Sequence, residues 1–506
     1  MVLLTGNTLT LEQLEAVANR FEPVALDPAA AAAVDAARTV VDRAADGDAA
    51  AYGINTGFGA LAEVKIPKRS LAAVQRNLLR SHAAGVDAPL SVPVVRAMMA
   101  LRANVLAKGY SGIRRATLDA LIAALNARVH PVVPSRGSVG ASGDLAPLAH
   151  LSLVLIGEGA ATVADDPAPL DGAAALARAH LAPIEIGPKE GLALINGTQA
   201  STAVAALAVR GAEQLARSAD LAAALSIDGL RGSFHPFEAR VHDSRPYPGQ
   251  RASAANLFSL LQGSAINASH ANCGRVQDAY SMRCAPQVHG AARDAFAHSR
   301  RTIEIELNAA TDNPMVFAAS GEIVSGGNFH GAPIAVACDV IVLGLVQLAT
   351  ISERRSDRLV NPSLSGLAPF LTRDSGLNSG YMLAQVTAAA LVSELKTLAH
   401  PASADTIPTS ANREDHVSMS MSAALKAARA LELATRVLAV EVLLACQAID
   451  LLAPLTTSPA LAPVHAHVRS MVSTLADDRP PAPDIETISK LITRGSFERS
   501  CGTDVK

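Results

Sequence analysis

Ala141, Ser142 and Gly143, followed at once by Asp144, stand together in this 506-residue chain in a pattern with an unusual chemical capacity. They lie in the stretch P-S-R-G-S-V-G-A-S-G-D-L-A-P-L-A-H, Pro134 to His150. Glycines at 137, 140 and 143 carry no Cβ, so the backbone can fold back on itself where other residues would collide. In a tight enough turn the amide nitrogen of Gly143 reaches the carbonyl carbon of Ala141. Attack closes a five-membered ring. Loss of water, followed by dehydration of the Ser142 side chain, leaves an exposed methylidene carbon. That carbon is an electrophile, a reagent that no unmodified side chain supplies. Strained, over-determined backbone is the expected setting for such a cyclisation.

Other glycine-rich readings compete for the same residues. The simplest is a plain turn. A phosphate-cradling loop needs G-x-x-x-x-G-K-[ST], and no lysine follows Gly143. A hydrolase elbow needs G-x-S-x-G, but Asp144 occupies the place of the last glycine. The segment closely resembles the one by which the MIO-dependent aromatic amino-acid ammonia-lyases, histidine ammonia-lyase among them, form their methylidene-imidazolone (MIO) group. In that family the Ala-Ser-Gly tripeptide is the precursor. The resemblance therefore implies an MIO formed autocatalytically from Ala141-Ser142-Gly143, with no external cofactor.

Further strings match the same family in order. Y-G-I-N-T-G-F-G begins at Tyr52. Taken alone it is a surface turn with a packing tyrosine, and no strand-loop-helix unit makes it a dinucleotide fingerprint. In the family this tyrosine loop covers the active site. S-H-A-A-G, Ser81 to Gly85, resembles the histidine-specific members, whereas relatives acting on phenylalanine or tyrosine tend to differ at the first two positions. In G-L-A-L-I-N-G-T-Q-A-S-T, Asn196 follows an apolar run, so it must find partners, either bracing a turn or binding ligand. Gln277, Tyr280 and Arg283 are spaced by three, which on a helix places them near one face. An arginine there can grip a carboxylate bidentately, which suits an amino-acid substrate. G-G-N-F-H-G carries Phe329, and P-T-S-A-N-R-E-D-H-V-S-M-S-M carries Glu414, with Arg413 where the family's glutamine is expected.

The resemblance implies elimination of ammonia from L-histidine to give trans-urocanate. Tyr52 is the implied base. Arg283 and Asn196 hold the carboxylate, and His82 and Glu414 face the imidazole. Gln277, Tyr280 and Phe329 line the pocket, with Tyr280 and Gln277 also near the prosthetic group. A tyrosine or phenylalanine ammonia-lyase or an aminomutase is the alternative within the same chemistry. From another class, the alternative is a catalytically inactive helical scaffold.

The elements that must hold these residues are helices. Half the residues are apolar, aromatics make up 3% and tryptophan is absent; the abundant alanine and leucine favour helix. Thr10-Leu11-Glu12-Gln13 has capping-box spacing and opens an amphipathic stretch to about Arg20. Further helical stretches are expected after Asp27, over Ser70–Ser81, Met98–Leu106, Leu118–Ala127, from Leu145 towards Ile156, over Tyr381–His400 and from Asp415 to Ala453. Asp165–Leu181 reads as a surface excursion. His465 and His467 read as a solvated helical face rather than a metal site.

With 43 basic and 46 acidic residues, the net charge of -3 argues against nucleic acid or an anionic membrane as a partner. The mean hydropathy of +0.25 is high, but Asp339 and Gln347 interrupt Ala335–Ile351. Glu441, Gln447 and Asp450 likewise interrupt Leu438–Leu455. Such runs suit helices buried within a large protein or oligomer better than lipid. Five cysteines with no C-x-x-C read as reduced thiols, mostly core fillers, in a cytosolic protein.

The resemblance, which covers nearly the whole chain, implies a mainly α-helical fold of fumarase/aspartase-like architecture. It has a head domain with active-site loops, residues 1–110, and a helical domain, residues 111–506, carrying the tripeptide and the bundle. It also implies a homotetramer whose active sites each draw on three subunits.

Overall fold

The computed structural model describes residues 1–271, 273–274 and 276–506, leaving out the side chain of Ala60. The chain is mainly helical, with a few two- and three-stranded sheets. Local rules set the helix starts. Thr10 accepts from the Gln13 amide at 3.2 Å while the Gln13 side chain accepts from the Thr10 amide at 3.0 Å, opening the Leu11–Asn19 helix. Asp27 caps the Pro28–Asp46 helix in the same sense, with proline at its first position.

The chain divides into two compact units. One comprises 1–207, 300–338 and 401–425; the other comprises 208–299, 339–400 and 426–506. A single cut after residue 110 is not among these divisions. Four of the division points fall inside long helices: Gln199–Gly229, Ala285–Leu307, Ala332–Val360 and Ser420–Leu451.

In the first unit, short strands tie loop to loop. Val86–Pro89, just after the Leu71–His82 helix, pairs antiparallel with Pro134–Arg136, just before the tripeptide. The stretch after Asp165 is more ordered than expected. It forms the strand Asp166–Asp171, in a three-stranded sheet, and the helix Gly172–Arg178, anchored by buried Ala175 and Leu176. Its prolines hid the strand, because they suit an edge rather than an alternating interior pattern.

The second unit contains most of the long helical runs. Ser420–Leu451 starts five residues later than the sequence suggests, and its 32 residues span about 48 Å. Met419 sits at φ +55° and donates its amide to the Val139 carbonyl at 2.8 Å, which commits the preceding backbone to a loop. Several charges inside the helices are paired. Arg355 and Glu441, both fully buried, form an ion pair, with the Ser226 hydroxyl donating to the same carboxylate. Asp220 accepts from Ser253, Asn256, His289 and Arg293. Ala332–Val360 is long and apolar enough to cross a membrane, yet 67% of its most apolar window is buried within the protein. Of the five thiols only Cys338 and Cys446 are buried, so fewer are core fillers than the sequence suggests. His465 pairs with Asp450 at 2.8 Å.

Candidate active site

The tripeptide is built on unusual backbone. Ser142 sits at φ +52°, between Gly140 at +72° and Gly143 at +77°, ahead of the Leu145–Leu155 helix. Gly143 is bridged to Gly197, whose carbonyl accepts from the Asp144 amide at 2.7 Å. A Cβ on Gly143 would overlap that same carbonyl, so this approach requires glycine. The Asn196 side chain donates to the Ser142 carbonyl at 2.9 Å. Among the described residues, its own Oδ1 is buried without a hydrogen-bond partner. The contorted backbone, the cradle that any Cβ would fill and the orphaned amide oxygen together fit a cyclised Ala141-Ser142-Gly143.

Behind the turn, Asp144 is fully buried. It accepts from the Ser138 hydroxyl at 2.8 Å, the Ser201 amide at 2.7 Å and the Ser201 hydroxyl at 2.8 Å. Burial pushes this carboxyl above its ordinary range despite those donors. Arg102, also buried, holds the Asn196 carbonyl at 2.7 Å and Gln199 at 2.8 Å. Asn196 is thus gripped at its backbone while its side chain grips Ser142.

Glu414 reaches the tripeptide from 272 residues away. The Ser142 hydroxyl donates to its Oε1 at 3.0 Å, while Thr409 and Ser410 donate to Oε2 at 2.6 and 2.9 Å. His82 ends the Leu71–His82 helix, with Nδ1 at 2.9 Å from the Leu78 carbonyl. Burial holds its imidazole below the ordinary range, while Leu78 and the nearby Glu414 charge pull the other way. Just beyond it, the Gly85 amide donates to His150 Nε2 at 3.0 Å, joining S-H-A-A-G to the end of the organising stretch.

The tyrosine loop is self-braced. Asn55 accepts from the Ala51 amide at 2.7 Å and donates to the Ala49 carbonyl at 2.9 Å, and Ile54 is fully buried. Tyr52 meets Phe58 edge-on at 6.4 Å, and its hydroxyl accepts from the Gly59 amide at 3.3 Å. Phe329 is half-buried in its glycine loop. The loop ends at Gly331, where a Cβ would collide with Ser420; Gly140 packs against Ser418 and Ser420 in the same way.

Tyr52, His82, the tripeptide, Asn196, Phe329 and Glu414 all belong to the first unit. Gln277, Tyr280 and Arg283 belong to the second, where they form a cluster of their own. Arg283 donates to Gln277 at 2.9 Å and stacks 4.7 Å from the ring of Tyr280, which is 71% exposed. They do not share a helical face as the spacing suggested. The helix there is only Tyr280–Arg283, and Gln277 precedes it. Gln277 and Arg283 line a pocket of about 910 Å³ with Arg231, His235, Asn267 and Gln287.

Sequence reasoning missed Arg102, Thr409, Ser410, Ser138 and Ser201. The two hydroxyls shortly before Glu414 were a signal within a quoted string. Arg102 gave none, because its partners lie 94 and 97 residues away.

A family model described as aromatic amino acid lyase matches residues 9–470. The chain is 57% identical over 504 residues to the histidine ammonia-lyase of Anaeromyxobacter sp. (strain K), covering 98% of this chain and 99% of that one. It resembles the crystal structure of histidine ammonia-lyase from Trypanosoma cruzi at 44% identity and a TM-score of 0.92, over 99% of this chain and 94% of the other. The tyrosine aminomutase structure from Streptomyces globisporus matches at 38% identity and a TM-score of 0.94, over the whole of both chains.

Proposed function

The chain belongs to the aromatic amino acid lyase family, and from that premise we propose that it eliminates ammonia from L-histidine to give trans-urocanate. The observation that carries this reading is the 3.0 Å contact between the Ser142 hydroxyl and Glu414, with His82 close to the same carboxylate. It sets a carboxylate acceptor beside the tripeptide. A purely hydrocarbon ring offers that acceptor nothing, whereas an imidazole offers a ring N–H. Relatives named histidine ammonia-lyase at 50–57% identity support the same reading.

The Ala141-Ser142-Gly143 geometry fits MIO, whose methylidene carbon supplies an electrophile that makes the substrate's amine a better leaving group. The surrounding residues do the rest. Tyr52, its hydroxyl held by Gly59, takes the weakly acidic proton from the substrate Cβ. Asn196 and Arg283 hold the carboxylate, and Gln277, Tyr280 and Phe329 line the pocket, Tyr280 near the reacting atoms. His82 and Glu414 face the imidazole. Dehydration of Ser142 removes the hydroxyl that now occupies Glu414 Oε1 and frees that oxygen for the ring N–H.

We assign a homotetramer whose active sites draw on more than one copy of the chain, as the family resemblance implies, with Arg283, Gln277 and Tyr280 among the contributing residues. Leu343, Leu383 and Val386 support association: they are 52%, 58% and 49% exposed on the helices Ala332–Val360 and Met382–Leu398. Sedimentation is expected to report four chains of 52.0 kDa; a fully active monomer overturns the shared site. The activity itself is tested by ultraviolet detection of urocanate from purified protein and L-histidine, with phenylalanine and tyrosine alongside. A protein that forms no urocanate refutes the proposal, and a β-amino-acid product makes it an aminomutase.

A further inference from the structure

Glu414 ends a six-residue turn that closes on itself. The Thr409 amide donates to the Glu414 carbonyl at 3.0 Å, and the Glu414 amide donates back to the Thr409 carbonyl at 3.4 Å. Between them Ser410, Ala411 and Asn412 sit at φ +50°, +54° and +63°. Consecutive non-glycine residues in this region are costly and persist only where their surroundings over-determine them. What over-determines these is the Glu414 side chain itself. Its Oε2 accepts from Thr409 Oγ1 at 2.6 Å and from Ser410 Oγ at 2.9 Å. The turn lies beside Gly59–Leu61, the short helix whose first amide holds the Tyr52 hydroxyl.

We infer that Thr409 and Ser410 are positioning residues that set substrate specificity: their hydroxyls clamp one oxygen of Glu414 so that the other is presented to the substrate's ring N–H. The inference rests on the histidine reading above. A glutamate side chain has several freely rotating torsions, and a group that must meet a single N–H gains from losing that freedom before the substrate arrives. Two donors on Oε2 fix the side chain and leave Oε1 as the free acceptor. Among the described residues, the remaining side-chain donor to this carboxylate is Ser142. Its hydroxyl is the one that dehydration removes, so in the mature site the clamp rests on Thr409 and Ser410. The left-handed turn is what brings both hydroxyls back onto the carboxylate of a residue only four and five positions later.

Thr409→Val keeps the side-chain shape and removes one donor, Ser410→Ala removes the other, and Thr409→Ser restores the hydroxyl. For each variant kcat/KM on L-histidine, calorimetric affinity for trans-urocanate and trans-cinnamate, and the melting temperature are measured. Of these two ligands, only trans-urocanate carries a ring N–H. The double variant Thr409→Val, Ser410→Ala is expected to lose roughly ten- to a hundredfold in histidine kcat/KM and in urocanate affinity, the scale of hydrogen bonds to a charged group. Cinnamate affinity stays level, and Thr409→Ser recovers most of the single-variant loss. Unchanged urocanate affinity overturns the clamp. So do equal losses for both products with a lowered melting temperature that Thr409→Ser does not restore, which would mean that the hydroxyls only hold the turn. A wild-type protein that forms no urocanate overturns the substrate reading and the clamp with it. Equal losses in a protein that does form urocanate overturn the clamp alone.

Discussion

Around the tripeptide, polar side chains gather where the backbone leaves regular structure: Ser142 at φ +52°, Ser410 at +50° on the Glu414 carboxylate, and Asn196 at the end of a short helix. In the other unit Asp220, His289, Arg355 and Glu441 lie fully buried in regular helices; Arg355 is paired with Glu441 and Asp220 with Arg293 at 2.6 Å, while His289 Nδ1 sits 2.7 Å from the Asp220 carboxylate. The first set keeps spare capacity, such as the unpartnered Asn196 Oδ1 and the Glu414 oxygen bound to the hydroxyl that the proposed dehydration of Ser142 removes. The second set is built on the Arg355–Glu441 and Arg293–Asp220 pairs, so removing one member leaves another stranded in low dielectric. Strain and spare acceptors belong to chemistry here, and closed charge pairs belong to stability. Mutations should separate the two.

The largest effect is expected at Ser142→Ala. Alanine tolerates φ +52° about as well as serine does, so the melting temperature should hardly move. With no hydroxyl to lose, no methylidene can form, and histidine turnover should fall on the order of a thousandfold or more. Intact mass should show the active wild type lighter than its sequence by two waters and the variant at full mass. An active preparation at full mass would break the assignment of the tripeptide. Tyr52→Phe comes next. It removes only the phenolic oxygen, so kcat should drop by about a hundred- to ten-thousandfold while urocanate affinity holds. Near-normal kcat would move the base to Tyr280.

Asp220→Asn probes the other side of the comparison. It leaves His289 and Arg293 facing a neutral amide, and about 3 kcal/mol of stability should be lost, with kcat unchanged in the folded fraction. Burial alone would raise the Asp220 carboxyl, but Arg293, His289 and Ser253 outweigh it and hold it down to about 2 against an ordinary 3.8. Because the folded value is depressed, this carboxylate contributes fully above pH 3.8, and its contribution is lost as pH falls towards 2. The variant should lack that part of the acid-side slope in a melting series. A kcat defect as large as that of Tyr52→Phe would erase the distinction between the two regions.

The same contrast explains what could be read in advance. Cyclisation needs contiguous residues, so Ala141-Ser142-Gly143 was visible as a string. Capping and amphipathic periods are local, so Thr10, Asp27 and most helix spans were visible too. The left-handed run Ser410-Ala411-Asn412 contains no glycine, and of its residue types only Asn412 favours positive φ. Arg102 looks like an ordinary residue of an apolar helix, yet it is buried against Asn196. Gln277 was placed on a helix by spacing alone, although only Tyr280–Arg283 is helical. The two units are stitched from discontinuous segments, which one linear cut cannot describe.

The smallest expected effect sharpens the comparison most, because it lies in the same unit as the site. Thr10→Ala removes one half of a capping box, the hydroxyl that accepts from the Gln13 amide. The other half survives, since Gln13 can still accept from the backbone amide of residue 10. Leu9 and Leu14, at the two positions of a hydrophobic staple, are both buried. Asn308 also grips Leu9 from both sides, at 2.9 Å to its amide and 2.9 Å to its carbonyl. The exposed Gln13 amide can turn to water. The loss should therefore sit at the low end for N-caps, about 0.5–1 kcal/mol, seen as a small drop in melting temperature. Histidine kcat and KM should not change, because this helix start contributes no side chain to the loops that carry the chemistry. An altered kcat would mean that function is spread through the whole unit rather than confined to its strained turns.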